Sequence, residues 1–186
     1  MSRFDFTDTP LAGTRVVTRK ALEDARGFLC RLFCADGFRE AGADLPVAQI
    51  NHTLTRRRGS IRGLHFQRSP HAEVKLVSCL RGEVFDVAVD LRRGSPTFLR
   101  WFGTVLSADN RSALLIPEGC AHGFQTLTDD CELIYLHSAA YHPGAEGAVN
   151  ALDPRLAIDW PLAVAEMSAR DRDHPPIDDA FEGLAP

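Results

Sequence analysis

Between about residue 45 and residue 140 the chain alternates short apolar or period-two runs with turn residues, and this rhythm leaves little choice of architecture. The runs are Ile61 to Phe66, Val74 to Leu80, Val84 to Asp90, Leu99 to Leu106, Ala113 to Ile116, Gly123 to Leu127 and Cys131 to His137. Between them fall Arg81-Gly82, Gly94-Ser95-Pro96, Asp109-Asn110, Pro117-Glu118-Gly119 and Asp129-Asp130. Short runs bounded by such residues read as antiparallel strands of a sandwich or barrel, because Gly, Pro, Asn and Asp supply the reversals that a sheet needs. The spacing predicts an all-β jelly roll. Helical pattern is confined to the flanks, over Leu22 to Arg26 and more clearly over Ala163 to Arg170, with Pro175-Pro176 as its stop. Short helices are therefore expected to cap a β core. The stretch Asn51 to Ser60 carries Arg56-Arg57-Arg58-Gly59 and reads as a solvated, charged approach to the strand at Ile61.

No repeat, low-complexity tract or Gly/Pro/Ser-rich linker divides the chain, so residues 1–186 are read as a single domain. At 45% hydrophobic residues this length can bury a sufficient core without staples. With 21 Lys and Arg against 25 Asp and Glu, the net charge of −4 argues against a nucleic-acid partner. Apolar runs are too short to cross a bilayer, and the start MSRFDFTDTPLAGTRVV lacks the apolar stretch of a signal peptide, so no membrane partner is expected. Five cysteines, Cys30, Cys34, Cys79, Cys120 and Cys131, form no C-x-x-C pair and fit a reducing cytoplasm.

A sandwich interior should be Val, Leu, Ile and Phe, yet Arg62, His65, Lys75, Asp86, His122 and Tyr135 sit in or at the starts of the runs. So many polar groups in one small β domain point to a polar pocket inside the roll. Strict alternation puts Arg62 and His65 on opposite faces, but Gly63 between them permits a bulge that turns both inward. Alone, His65 reads as a structural histidine, Lys75 as an outward strand lysine, Tyr135 as a half-buried aromatic and Asp171 as a surface acid of a tail helix. Metal binding by clustered histidines is disfavoured, because His65 is followed by Phe66-Gln67 and His122 by Gly123-Phe124, without His-x-His spacing.

Taken in order, Asn51-His52, Arg62-Gly63-Leu64-His65-Phe66-Gln67, Lys75-Leu76-Val77, Gly82 to Arg92, Ala121-His122-Gly123-Phe124 and Ile158-Asp159-Trp160-Pro161-Leu162 resemble the dTDP-4-dehydrorhamnose 3,5-epimerase family. The likeness runs from Asp24-Ala25-Arg26-Gly27-Phe28 to Asp171. It implies a cupin jelly-roll β-sandwich, usually a homodimer, that acts without metal or other cofactor on a nucleotide-linked 4-keto-6-deoxy sugar. The C4 ketone acidifies the hydrogens on carbons 3 and 5. Inversion then needs a base on one face, an acid on the other and a cation near the oxygen. By resemblance His65 is the base, Asp171 the carboxylate that orients it, Lys75 the cation and Tyr135 the opposing acid. His122 and Asp86 match a supporting polar pair. Arg26, Gln49, Asn51 and Arg62 match nucleotide contacts, and Arg170 keeps a positive charge where the family often has lysine.

The likeness weakens at the nucleotide end. Where the family usually has a second aromatic and then a glutamate, this chain has Leu29 and Arg31. A glutamate accepts from the ring N–H of thymine or uracil, whereas Arg31 can only donate and fits a base edge rich in acceptors, as in guanine or cytosine. The carrier nucleotide is thus open. Leu136 replaces a frequent lysine, and one extra residue stands between Asn51 and Arg62. Alternatives at this point are a single-centre epimerase, a sugar-nucleotide 3,4-ketoisomerase and a silent sugar-nucleotide-binding module.

Overall fold

The computed structural model describes residues 2–185. Two sheets pack face to face as a cupin jelly roll. The first contains, in spatial order, β1 (Phe4–Asp8), β2 (Arg15–Arg19), β10 (Ser112–Ile116), β7 (Lys75–Arg81), β12 (Cys131–His137) and β5 (Gln49–Thr55). The second runs β13 (Glu146–Ala148), β6 (Ser60–Gln67), β11 (Cys120–Thr126), β8 (Glu83–Asp90) and β9 (Trp101–Ser107). Pairing along both is antiparallel, and β14 (Glu166–Met167) adds a short parallel contact to β6. Outside the sandwich lie a hairpin of β3 (Leu22–Asp24) and β4 (Gly27–Leu29) and two short helices, α1 (Ala35–Glu40) and α2 (Ala169–Arg172). No helix among the described residues is long and apolar enough to cross a membrane.

Alternation explains which faces meet. Val84 and Ala88 of β8 point into the sandwich with Val77, Leu106, Leu114, Phe124 and Leu133, while Val87 and Val89 point the other way. That outer face is not wet. It is covered by the C-terminal segment through Val149, Ala151, Leu156 and Ile177. The outer face of the first sheet, including Val17, Leu76 and Leu115, is covered in turn by Phe38 of α1 with Ala43 and Leu45. Sheets buried on both faces lose the polar half of their alternation, which is why β11 is buried along its whole length.

One irregularity positions the site. Along β6 and β11, His65 pairs with His122 and Arg62 with Phe124, so three steps on β6 match two on β11. The extra residue is the expected bulge at Gly63. Leu64 joins the outer cluster, while Arg62 and His65 both line the interior cleft. Gly63 has φ +122°, and a Cβ there would sit 2.5 Å from the Gly123 Cα and 2.7 Å from the His122 carbonyl oxygen. Glycine is required on both counts.

The flanks depart from the sequence expectation. Leu22 to Arg26 is no helix: Leu22–Asp24 pairs with Gly27–Leu29, and the Asp24 carboxylate accepts from the Arg26 backbone N–H to close the turn. Over Ala163 to Arg170 only the last two residues are helical, and Glu166–Met167 pairs instead with the β6 edge at Ser60 and Ile61. The helix starts only at Ala169, where the Ser168 hydroxyl accepts from the Asp171 N–H. Asn51 to Ser60 is likewise half strand, since β5 pairs with β12 as far as Thr55. The arginine run forms the turn that follows, with Arg58 donating to the Asp129 carboxylate and the Leu127 carbonyl. β1, β2 and α1 carried too weak a pattern to be expected.

Candidate active site

A cleft of about 230 Å³ opens between the sheets, lined by Asn51, Arg62, His65, Lys75, His122 and Tyr135 among others. His65 enters from β6 and Tyr135 from β12, so the imidazole and the phenol stand on facing sheets of one cavity. The Asp171 carboxylate lies behind His65, 2.7 Å from Nε2, and accepts a further bond from the Gly63 backbone N–H at 3.3 Å. α2 therefore supplies a buried acid, not a surface one. Burial alone would raise the Asp171 carboxyl, but the His65 hydrogen bond and charge and the Gly63 N–H outweigh it and hold it below its ordinary value. A carboxylate on Nε2–H leaves Nδ1 of the half-exposed His65 ring as the proton acceptor.

Lys75 is buried, and its Nζ donates to the His65 carbonyl at 3.1 Å and to Glu73 at 3.2 Å. An ammonium has three donors, so one is left for an oxygen in the cleft. Tyr135 meets the His122 ring edge-on at 5.8 Å and stacks on His137 at 6.0 Å. Burial, and then the charge of Asp86, push its phenol well above the ordinary value, so it holds its proton and is suited to donation. Asp86 is fully buried and bonds His122 Nε2 at 2.8 Å through one oxygen, while the other has no hydrogen-bond partner among the described residues.

The nucleotide-end residues divide. Asn51 and Arg62 line the cleft, and Gln49 adjoins it by donating to Asn51 at 3.1 Å. Arg170 reaches the rim through Glu146, at 2.6 Å. Arg26 and Arg31 do not belong to this cavity. They sit on or beside the β3–β4 hairpin, exposed, with Arg26 paired to Asp24. Glu73, His137, Tyr141 and Glu146 also line the cleft and were not anticipated. Two of them had a signal: Glu73 and His137 lie two residues from Lys75 and Tyr135, hence on the same faces. Each cleft histidine has its own single carboxylate partner, and no group of three or more His, Cys, Asp or Glu among the described residues is arranged to hold a metal.

A jelly roll whose cleft opposes an imidazole–carboxylate pair to a phenol, with an ammonium beside them, is a cupin equipped to move protons on a carbon acid. Residues 8–179 match the dTDP-4-dehydrorhamnose 3,5-epimerase family, and the chain belongs to that family of isomerases. It is 41% identical to the dTDP-4-dehydrorhamnose 3,5-epimerase of Salmonella typhimurium over 93% of this chain and 95% of that one. It is 43% identical to the dTDP-4-dehydrorhamnose 3-epimerase of Streptomyces niveus, over 88% and 79%. The crystal structure of dTDP-6-deoxy-D-glucose-3,5-epimerase from Legionella pneumophila, in complex with dTDP-4-keto-L-rhamnose, superposes with a TM-score of 0.85 at 41% identity, over 90% and 89% of the two chains.

Proposed function

We propose that this chain inverts carbons 3 and 5 of a nucleoside-diphosphate 4-keto-6-deoxy sugar of the dTDP-4-dehydro-6-deoxyglucose type, using its own side chains and no cofactor. The observation that carries the reading is the entry of His65, backed by Asp171, and Tyr135 into one cleft from facing sheets, with Lys75 lining the same cleft. His65 takes the proton next to the ketone. The C–H electron pair becomes the C=C bond of an enolate, and the carbonyl pair moves to oxygen, where the third Lys75 donor stabilises it. Tyr135 then delivers a proton to carbon from the other face, which inverts the centre. Asp171 holds the imidazole tautomer and stabilises the imidazolium. His122 with Asp86 supports the wall beside Tyr135, while Asn51, Arg62, Gln49 and Arg170 contact the nucleotide portion.

Residues 1–186 act as one cupin domain in the cytoplasm, and the working form is a homodimer. Phe28 and Leu29 are 62% and 71% exposed on the hairpin that carries Arg26, and Ile50 and Leu54 are exposed on the edge strand β5. These apolar groups favour self-association. Arg26 and Arg31, which do not line this chain's own cleft, then serve a partner subunit's nucleotide end. A single-centre epimerase is the second reading, favoured by the 43% likeness to a 3-epimerase.

NMR of the wild-type protein with dTDP-4-dehydro-6-deoxyglucose in deuterium oxide separates these readings. Deuterium at carbons 3 and 5 with an inverted product supports the first. Deuterium at one carbon supports the second, and none across dTDP, UDP, CDP and GDP carriers leaves a binding module.

A further inference from the structure

Four polar groups at the cleft have no part in the proton transfers above: Glu73, His137, Gln49 and the backbone N–H of Tyr141. They form one continuous chain of hydrogen bonds with Asn51 and Lys75. Tyr141 N–H donates to Gln49 Oε1 at 2.9 Å, and Gln49 Nε2 donates to Asn51 Oδ1 at 3.1 Å. Asn51 Nδ2 meets His137 Nε2 at 3.3 Å, His137 Nδ1 meets Glu73 Oε2 at 2.7 Å, and Glu73 Oε1 accepts from Lys75 Nζ at 3.2 Å.

Both ends of this chain have fixed polarity. A backbone N–H can only donate, so Gln49 must turn its oxygen to Tyr141 and its amide nitrogen to Asn51. Asn51 must then present its own nitrogen to His137, whose Nε2 has to accept. At the other end the Lys75 ammonium can only donate to Glu73. That carboxylate then accepts the proton on His137 Nδ1, so with Nε2 accepting from Asn51 the ring carries a single proton. The two directions agree on one state of the ring: neutral, with its proton on Nδ1. Glu73 stays an anion, because the His137 hydrogen bond and the Lys75 charge outweigh the effect of burial and hold its carboxyl below the ordinary range.

Protonating Nε2 would set an N–H against the Asn51 amide N–H₂. If Asn51 flipped to relieve this, the clash would pass to Gln49, and from there to the Tyr141 N–H, which cannot flip. Some link must break. We propose that Glu73 and His137 are positioning residues, which lock the amides of Asn51 and Gln49 into their substrate-binding orientations only while His137 is neutral. This deepens the epimerase reading and rests on it. Besides Glu73 and Lys75, the titratable groups lining the cleft with His137 are His65 and Arg62 on β6, His122 on β11, Tyr135 on its own strand, Tyr141 beyond it and Glu146 on β13. In this arrangement Glu73 and Lys75 offset each other's charge, and Tyr135 stacks on the ring.

The tautomer can be read without substrate, so its outcome is separate from that of the epimerase reading. Long-range ¹H–¹⁵N correlation of the full chain near neutral pH, with the His137 signals identified by their loss in His137→Gln, should give a neutral ring protonated at Nδ1. An Nε2–H ring or an imidazolium would overturn the relay. Kinetics then tests its role. His137→Phe should raise KM about tenfold while kcat stays within about threefold, the scale of losing a hydrogen bond next to charged partners. His137→Gln keeps one acceptor and one donor without titrating, so KM should recover and the acid limb of kcat/KM should lose one proton. An unchanged KM in His137→Phe, or the wild-type acid limb in His137→Gln, would remove His137 from this role.

Discussion

Asp171 shows how much a single side chain can change meaning between sequence and structure. In sequence it is one acid among several near the end of the chain. In the fold it is buried against the His65 ring, with a backbone N–H on its second oxygen. Asp171→Asn keeps the shape but not the charge that fixes the tautomer. It should lower kcat by roughly 10²- to 10⁴-fold with deuterium exchange at both carbons falling together, as steady-state kinetics and NMR would show. Because the folded-state value of Asp171 is depressed, its pairing is complete above the ordinary carboxylate range and is lost only as pH falls through that lowered value. An acid limb of the rate above that range therefore does not report this carboxylate. Arg62, His65, Lys75, Asp86, His122 and Tyr135 were legible because strand interiors rarely hold such groups. Tyr141 and Glu146 were not, since an acid or a tyrosine at a strand end or in a loop looks like surface. At Arg31 the sequence makes a further prediction: turnover compared across carriers should favour base edges rich in acceptors, and an overwhelming dTDP preference would contradict it.

At the scale of elements, the β6 bulge and the turn after β8 set the geometry. Gly63→Ala would drive a methyl group into Gly123 and His122 at a φ that L-residues avoid. The bulge must then shift, so the variant should lose most activity and melt earlier in a thermal scan, even though no catalytic group is altered. Asp90 ends β8 and gathers Arg92, Ser95 and Thr97 around a fully buried carboxylate. Burial pushes this carboxyl up, but the bonds from Arg92, Ser95 and Thr97 hold it down, at about 2. A depressed value stabilises the fold above the unfolded pKa near 4, by about 2 kcal/mol, and that contribution disappears as pH falls from about 4 toward 2. Urea unfolding of Asp90→Asn should show a deficit of this order near neutral pH and a shrinking one in acid. The central strands were readable because turn residues bracket them. The flanking elements were not: β14 and the β3–β4 hairpin are fixed by an edge pairing and an aspartate-closed turn, which propensity over a few residues does not encode.

For the whole molecule, the two ends of the chain complete the sandwich instead of hanging from it. Phe38 is fully buried and meets the rings of Phe4, Phe6 and Phe33 at centroid distances of 4.9 to 5.2 Å. Phe38→Ala should cost about 3–5 kcal/mol in denaturant unfolding, typical of a large core truncation. The exposed apolar hairpin and β5 edge make the opposite kind of prediction. Light scattering behind size exclusion should give twice the chain mass, and Phe28→Asp with Leu29→Asp should shift it toward the monomer. The central claim concerns two groups acting on opposite faces of one ring, and solvent exchange without inversion reads it most directly. With substrate in deuterium oxide, Tyr135→Phe should still exchange the protons next to the ketone while giving little inverted product, and His65→Ala should do neither. Inversion at the wild-type rate by Tyr135→Phe, or undiminished exchange in His65→Ala, would contradict the account.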